Sequence, residues 1–545
     1  MRIHDRVAMV DVELRRNQEQ ISEVVERTAR EGGRILINEP PGSGKTLGVI
    51  YGLAKAGVKA LALVPNRPII SVWERYEVYT DDGEAYRFVG FRSKREFHCP
   101  AFEGLPAWSL HVTCNLEEPI SSKMEKCRYY APPIPGWMSG LKALRYGEYR
   151  SITGDRWTVL TREAVCPYYD QFKEYADGAN LVMTYDKFFL EALSGRLPWF
   201  DVIVMDEVDI AWQHMFKKLE LRTEFLREIM RMLKEKGQEG SEAIIDALAD
   251  AVIALEQGVV PSNLSEIATA LRMAARRLDI DLGSLNYFNA RNVKVIGKSK
   301  GKAVFLLDNS RLSDFARSLI YVTGTPMEED EVKEIFRSER YSFNRRQLGK
   351  IVLLNGGDMS VRGIWFKQPK LYKGEVQSFC RRMDEWTKKL SAAMPTLVPI
   401  FSYRHFTSCE DAGEPVELFR EYLDKDGSML ERFAKGEVPI VFSSRAIRGV
   451  HFDFGRMAIA LTKYPFPDIE DDLIRWMLSI RRLGRMVNIA ARSALYQAIG
   501  RGFGGREDDA VYLYSPDKRV YDELGNMAKL FEMDITKGEL EVQAR

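Results

Sequence analysis

The chain has 545 residues, 45% apolar and 29% charged, with a net charge of +1. That length exceeds what one hydrophobic core can organise and implies about three or four domains, while the near-neutral balance excludes a globally basic nucleic-acid binder, so any such surface must be local. No run approaches about 18 uninterrupted apolar residues, which excludes a spanning helix and a membrane partner, and the start (Arg2, Asp5, Arg6) lacks the apolar core of a secretory signal, so a cytoplasmic protein is expected.

A helix is predicted from about Arg15, with Ile21, Val24 and Val25 at helical spacing. Its Gln18 either reads an adenine edge or is a polar residue on a helix face. The apolar run Ile35–Ile37 predicts a buried strand. It leads into Glu39-Pro40-Pro41-Gly42-Ser43-Gly44-Lys45-Thr46, after which Leu47, Val49, Ile50 and Leu53 continue a helix. Strand, Gly-rich turn and helix form a phosphate cradle: backbone N–H groups of Gly42, Ser43 and Gly44 and the helix start face one concavity. Lys45 supplies charge for the β- and γ-phosphates of ATP, and the Thr46 hydroxyl suits Mg²⁺. Glu39 stands where the strict phosphate-loop pattern has its first glycine.

A second buried strand is expected at Val58–Val64, ended by Pro65, with Asn66 and Arg67 at its C-terminal edge. Residues 87–175 break the βα rhythm. They are rich in aromatics, lack an obvious apolar core and hold Cys99, Cys114, Cys127 and Cys166, four of the six cysteines. Six are too few for a disulfide scaffold. Four thiolates suit zinc or an iron–sulfur cluster, but without a C-x-x-C pair the spacing leaves buried free cysteines open as well. His98 and His111 are alternative ligands. The α/β pattern resumes at Ala179–Tyr185 and at Asp201–Met205, which runs into Asp206-Glu207-Val208-Asp209. Asp206 suits Mg²⁺ and Glu207 the activation of water.

From about Ala211 to Arg311 the pattern is mainly helical, with Asn263 and Glu266 at capping-box spacing. Leu319–Val322 predicts a strand before Thr323-Gly324-Thr325. After residue 345 a second α/β unit follows, with strands near 395–403, 438–444, 458–461 and 511–515. Seven arginines and no acids lie between Leu473 and Arg506, a pattern that reads as a polyanion surface. The run includes Gln497-Ala498-Ile499-Gly500-Arg501.

Taken in order, these stretches resemble the superfamily-2 helicases of the XPD/DinG branch, over nearly the whole chain. The likeness rests on Glu39–Thr46, Asp206-Glu207, Thr323-Gly324-Thr325, Ser402-Tyr403, Gln497–Arg501 and Val165-Cys166-Pro167-Tyr168-Tyr169. It implies an α/β protein with two RecA-like parallel-sheet lobes and two inserts in the first. Lobe 1 would comprise residues 1–86, 176–210 and 312–345. An Fe–S domain would span 87–175, a helical arch 211–311, and lobe 2 346–545. The resemblance makes the four cysteines ligands of a [4Fe–4S] cluster. It places Arg501, with Arg506 as a second candidate, against the γ-phosphate, and Gln497 beside them in the ATP site. The implied activity is ATP-dependent 5′-to-3′ DNA unwinding. The implied partners are single-stranded and forked DNA and repair proteins, for a monomer working at the nucleoid. The chain departs from the family at Asp209 (usually His), at Arg448-Gly449-Val450-His451 and at Gly504. Those changes keep a second reading in play, a DNA-stimulated translocase that remodels nucleoprotein without unwinding. A scaffold with a vestigial ATPase is the third.

Overall fold

The structure is a computed structural model. It describes the chain apart from residues 80–82, 110, 111, 117, 139, 140, 142, 238, 279, 281, 283, 284, 286, 287, 289–292, 312, 345, 448–451, 504, 505 and 541–545. His111, Arg448–His451 and Gly504 therefore lie outside the described residues.

Six strands form the parallel centre of a ten-stranded sheet, in the order Gly33–Asn38, Ser318–Thr323, Val202–Met205, Ala60–Val64, Asn180–Thr184 and Ala85–Gly90. Glu339–Tyr341 extends one edge in parallel. Tyr76–Tyr79, Arg2–Asp5 and Val10–Asp11 extend the other as an antiparallel ribbon. The strands Ala60–Val64, Val202–Met205 and Ser318–Thr323 are buried along their whole length, as continuous apolar runs covered on both faces should be. In register, Met205 pairs with Leu63 and Tyr321, and Thr323 with Asn38. The phosphate loop, the Asp-Glu box and Thr323 therefore leave the same carboxyl edge, where open α/β sheets bind ligands. Helices Arg16–Glu31 and Lys45–Ala56 touch backbone to backbone beside it: a Cβ on Gly52 would lie 2.5 Å from the Ser22 carbonyl oxygen.

A second sheet of six parallel strands uses Ile440–Ser443, Thr396–Pro399, Arg456–Ala460, Ala510–Tyr514, Arg346–Leu353 and Glu532–Lys537. Cys380 and Cys409 form a disulfide in its buried flank, joining helices Lys373–Ala393 and Arg404–Asp411 (Cα–Cα 5.6 Å). Their spacing in sequence gave no sign of this pairing.

Both inserts differ from expectation. Residues 211–311 are largely helical but also hold three strands that the sequence pattern does not predict. Helices Thr223–Lys236, Glu242–Glu256 and Leu264–Leu278 pack on an antiparallel sheet of Phe216–Arg222, Lys302–Asp308 and Val293–Ser299. Lys- and Gly-containing strands such as Val293–Ser299 carry too little apolar alternation to be read locally. The cysteine insert has a core after all. Tyr130, Tyr149, Tyr168, Tyr169, Phe172 and Tyr175 are buried with Phe91 in one cluster continuous with the large sheet. The strand Ala85–Gly90 belongs to that sheet, so the break in rhythm begins after Gly90 rather than at 87. Among the described residues no helix is long and apolar enough to cross a membrane.

Candidate nucleotide site and lobe interface

The loop after Gly33–Asn38 turns on Gly42 (φ 78°) and Gly44 (φ 79°), both in the left-handed region that glycine enters without strain. At Gly44 the side chain is also excluded by contact, since a Cβ there would sit 1.9 Å from Gln18 Nε2. Gln18 is buried. Its Nε2 donates to the Gly44 carbonyl (3.4 Å), and its Oε1 accepts from the Arg15 N–H (2.7 Å), capping the helix. Both amide atoms thus serve the backbone here, one of them at the phosphate loop. Asn17 Nδ2 holds the Ser43 carbonyl at 3.0 Å. Lys45 begins the next helix, followed by Thr46, and its Nζ folds back to the carbonyls of Glu39 and Pro40, each at 2.9 Å. Burial pulls the ammonium below the ordinary lysine range, against the opposing pull of Asp206, Glu39, Glu207 and Asp209. Glu39 is fully buried. Its Oε1 accepts from the backbone N–H groups of Phe343 (a short contact) and Asn344 (2.9 Å), just ahead of the second sheet.

Asp206 is held from three sides. Trp73 Nε1 donates to Oδ2 (3.0 Å), the Glu207 N–H donates to Oδ1 (3.0 Å), and the Tyr185 hydroxyl donates to the Asp206 carbonyl (2.8 Å). Burial raises its carboxyl above the usual range, against the Trp73 bond and the Lys45 charge, and a divalent cation would favour the ionised form. Glu207 has φ 46°, a left-handed conformation that costs a non-glycine residue about 1–3 kcal/mol and collects at functional sites. Sequence reasoning missed Trp73, Tyr185 and the Glu39 contacts; nothing local to those residues marks them.

Asp209 joins the two sheets. Its Oδ1 accepts from Thr323 Oγ1 (2.6 Å), and its Oδ2 accepts a short bond from Ser493 Oγ on helix Arg481–Gly500. Thr323 Oγ1 in turn accepts from the Thr325 N–H at 3.0 Å. A Cβ on Gly324 would lie 3.3 Å from Pro41 Cγ and 3.7 Å from Lys45 Nζ, so this turn sits directly over the phosphate loop. Ser493, Gln497 and Arg501 follow one another at spacings of four and share a helix face. Because Ser493 touches Asp209, that face is turned toward the nucleotide edge. Arg501 is buried and donates to Gln497 Oε1 (3.0 Å). Arg506 is directed elsewhere, its Nη2 bonded to both Asp453 oxygens at 2.6 Å.

Much of the arginine run is paired within the protein. Arg492 bonds Glu331 (2.9 Å), Glu523 (2.7 Å) and the Pro326 carbonyl (3.1 Å). Arg481 and Arg485 pair with Glu334, and Arg482 donates to the Ile335 carbonyl. Arg475 caps its own turn through the Glu470 carbonyl. Acids that answer these arginines stand on helix Glu329–Phe336, some 150 residues away in sequence. A basic cleft lies instead beyond Thr396–Pro399. It has a volume of about 870 Å³ and is lined by Arg362, Arg404, Lys463, Arg519, Phe401 and Tyr403, and also by Asp468 and Glu470, which pair with Lys367. Trp108 and Trp137 are exposed on the cysteine insert.

The four sequence-predicted cysteines come from four segments: beside the turn at 99–105, the short turn Thr113–Asn115, the end of helix Ile120–Lys126 and the start of helix Pro167–Asp170. Burial raises the Cys127 thiol, and the neighbouring Cys99 and Cys114 raise it further. Cys166 is raised by burial and by Cys114. The four sulfurs therefore share one electrostatic neighbourhood, and soft thiolates suit iron or zinc. Among the described residues no three potential ligands are drawn into coordination geometry. His98 is exposed and pairs through its backbone with Pro106.

No protein-family model matches the sequence, and no curated protein matches it. Solved structures do. An XPD helicase structure aligns with 97% of this chain and 100% of its own at 15% identity and a TM-score of 0.58. An apo XPD structure aligns with 95% and 100% at 14% identity and 0.54. Xpd4 of S. tokodaii aligns with 96% and 100% at 14% identity and 0.53. The chain thus has the XPD fold end to end, and its two parallel sheets are the two RecA-like lobes of that fold.

Proposed function

We propose that the chain is an ATP-driven motor on single-stranded DNA that unwinds forked duplex 5′ to 3′ in DNA repair. The observation that carries this reading is the Asp209 bridge. A carboxylate three residues beyond Asp206 is held at once by Thr323 over the phosphate loop and by Ser493 on the helix that carries Gln497 and Arg501. In this reading Gly42, Ser43, Gly44 and Lys45 bind the phosphates, with Lys45 released from the Glu39 and Pro40 carbonyls. Thr46 and Asp206 hold Mg²⁺, which neutralises phosphate charge, and Glu207 orients and deprotonates the attacking water. Gln497 and Arg501 approach from lobe 2 to stabilise charge on the γ-phosphate. Change at that phosphate then alters the lobe contact through Asp209. Arg506, committed to Asp453, is a weaker candidate than Arg501.

The strand surface in this reading is the basic, aromatic cleft of lobe 2 together with the exposed Trp108 and Trp137, which suit phosphate contact and base stacking. The four cysteines suit a [4Fe–4S] cluster by donor chemistry, although among the described residues no three potential ligands stand in coordination geometry. Such a cluster would staple the insert. Residues 87–175, 211–311 and the two lobes are proposed as the working units. The second reading, a translocase that remodels nucleoprotein without unwinding, is favoured by the sequence Arg448-Gly449-Val450-His451, which departs from the resembled family.

The test is unwinding of a forked duplex with 5′ or 3′ tails, DNA and RNA, beside oligonucleotide-stimulated ATP hydrolysis, with Glu207→Gln as the inactive control. Stimulated hydrolysis with 5′-tailed unwinding supports the helicase. Stimulated hydrolysis without strand separation supports the translocase. No stimulation by any nucleic acid refutes both. A visible band near ~400 nm with about four irons per chain, lost in Cys166→Ser, tests the cluster; one zinc, or no metal, refutes it.

A further inference from the structure

Strand Asn180–Thr184 passes into helix Tyr185–Leu193 without a connecting loop, and Thr184 Oγ1 accepts from the Lys187 N–H at 3.3 Å to start it. Consecutive helical residues point about 100° apart, so the first turn faces three directions. Each direction meets a different part of the molecule. The Tyr185 hydroxyl donates to the Asp206 carbonyl at 2.8 Å, and its ring stacks on His214 at 5.3 Å. Asp186 Oδ1 accepts from Lys217 Nζ at 2.6 Å and lies 3.4 Å from His214 Nδ1, both at the root of the 211–311 insert. Lys187 Nζ donates to Glu191 Oε1 at 2.7 Å and to the Tyr168 hydroxyl at 3.4 Å, and it lies over the rings of Phe91, Tyr168 and Phe172 at 4.8, 5.2 and 5.8 Å. Tyr168 stands two residues beyond Cys166.

We infer that residues 185–187 are a positioning junction that couples the nucleotide site to both inserts. Lys187 is 3% exposed. An apolar side chain would fill such a position at lower desolvation cost, so the paired charge there fixes geometry rather than adding stability. Arg196 shares Glu191 (3.1 Å) and lies over Phe172, so Glu191 keeps a partner when Lys187 is replaced. A shift of the Asp206 segment on nucleotide binding is carried by the Tyr185 bond into the helix start. From there it reaches one insert through Asp186 and the other through Lys187. The inference rests on the motor reading above and deepens it: the units that would flank the strand answer to the same turn.

The experiment measures the affinity of an oligo-dT for the full chain with and without a non-hydrolysable ATP analogue, alongside DNA-free ATP turnover. Coupling is reciprocal and typically 5- to 150-fold in affinity. Lys187→Met and Asp186→Asn are expected to keep DNA-free turnover and the KM for ATP within about twofold while the nucleotide effect on DNA affinity falls about tenfold or to unity, with Lys187→Arg restoring part of it. Asp186 is half exposed, so its variant reads out even where Lys187→Met fails to fold. Asp186→Asn retaining the wild-type ratio, and Lys187→Met retaining it wherever that variant folds, overturn the inference alone. A wild-type chain that binds oligo-dT identically with and without the analogue also overturns it. A wild-type chain that binds neither ATP nor DNA overturns the motor reading and this inference together.

Discussion

Replacing Ser493 with alanine removes one of the two hydroxyls that hold Asp209 between the lobes. Asp209 and Ser493 are both buried, at 3% and 0% exposure, so water does not replace the lost donor at little cost. A hydrogen bond to a charged acceptor contributes about 1.5–3 kcal/mol. If the closed arrangement of the lobes is the one that hydrolyses ATP, that loss lowers the DNA-stimulated kcat by about 10- to 150-fold, at 1.36 kcal/mol per decade. The KM for ATP should stay within about twofold, because Ser493 touches neither the phosphate loop nor Asp206. Thr323→Val removes the other donor from the lobe 1 side. A double-mutant cycle separates a shared carboxylate from two independent sites: neighbours coupled through one group depart from additivity by about 0.5–3 kcal/mol. Stimulated ATPase kinetics on the four proteins, with thermal melts as the folding control, is the assay. A Ser493→Ala protein that melts normally and keeps kcat within twofold refutes Asp209 as the link between the lobes, as does strict additivity of the two changes.

Further outcomes follow from the same contacts. Arg501→Ala should lower ATP turnover by roughly 10³-fold, while Arg506→Ala, which only frees Asp453, should change it by less than about threefold; a steady-state assay of both decides between them. Gly52→Ala drives a methyl group into the Ser22 carbonyl and Val25, and should cost about 1–3 kcal/mol in urea unfolding. Arg492→Met leaves Glu331 and Glu523 without their shared guanidinium and should loosen the lobes, seen as faster proteolysis of the inter-lobe segment, an effect that persists at high salt because the pair is nearly buried. Asp5 is held at about 2, chiefly by the Arg75 guanidinium. Its folded value lies below the unfolded one, so its stabilisation is complete above about pH 4 and lost as pH falls toward 2. Asp5→Asn should flatten that part of an acid-denaturation curve.

The phosphate loop, the Asp-Glu strand and most of the central parallel strands were legible because their signals are local, whereas Arg346–Leu353 and Glu532–Lys537 of the second sheet were not read. A fully apolar run ended by Gly, Pro or Asp is read from a few neighbours, and Lys45, Asp206 and Thr323 reach one edge once their strands are parallel. Local reading failed where the partner is remote. The arginines of 475–506 have no acid among them and so resembled a polyanion surface, but Arg481, Arg485 and Arg492 find counter-charges on a helix of the other lobe. Asp209 looked like the loss of a family histidine, and only the meeting of the lobes gives its carboxylate two hydroxyl donors, one 284 residues away. The 211–311 insert hid three strands: Phe216–Arg222 and Val293–Ser299 carry few apolar residues, and the short apolar run of Lys302–Asp308 cannot be told from a buried helix segment by pattern alone. The first turn at Tyr185 reads as an ordinary helix start; three neighbours on three sides make it a junction. Sequence determined the fully apolar strands and the glycine turn of the phosphate loop, since an unbroken apolar run or a glycine-rich turn is a property of the segment alone. The tertiary structure decided which charges meet, since a charge pairs with whatever face packing brings to it.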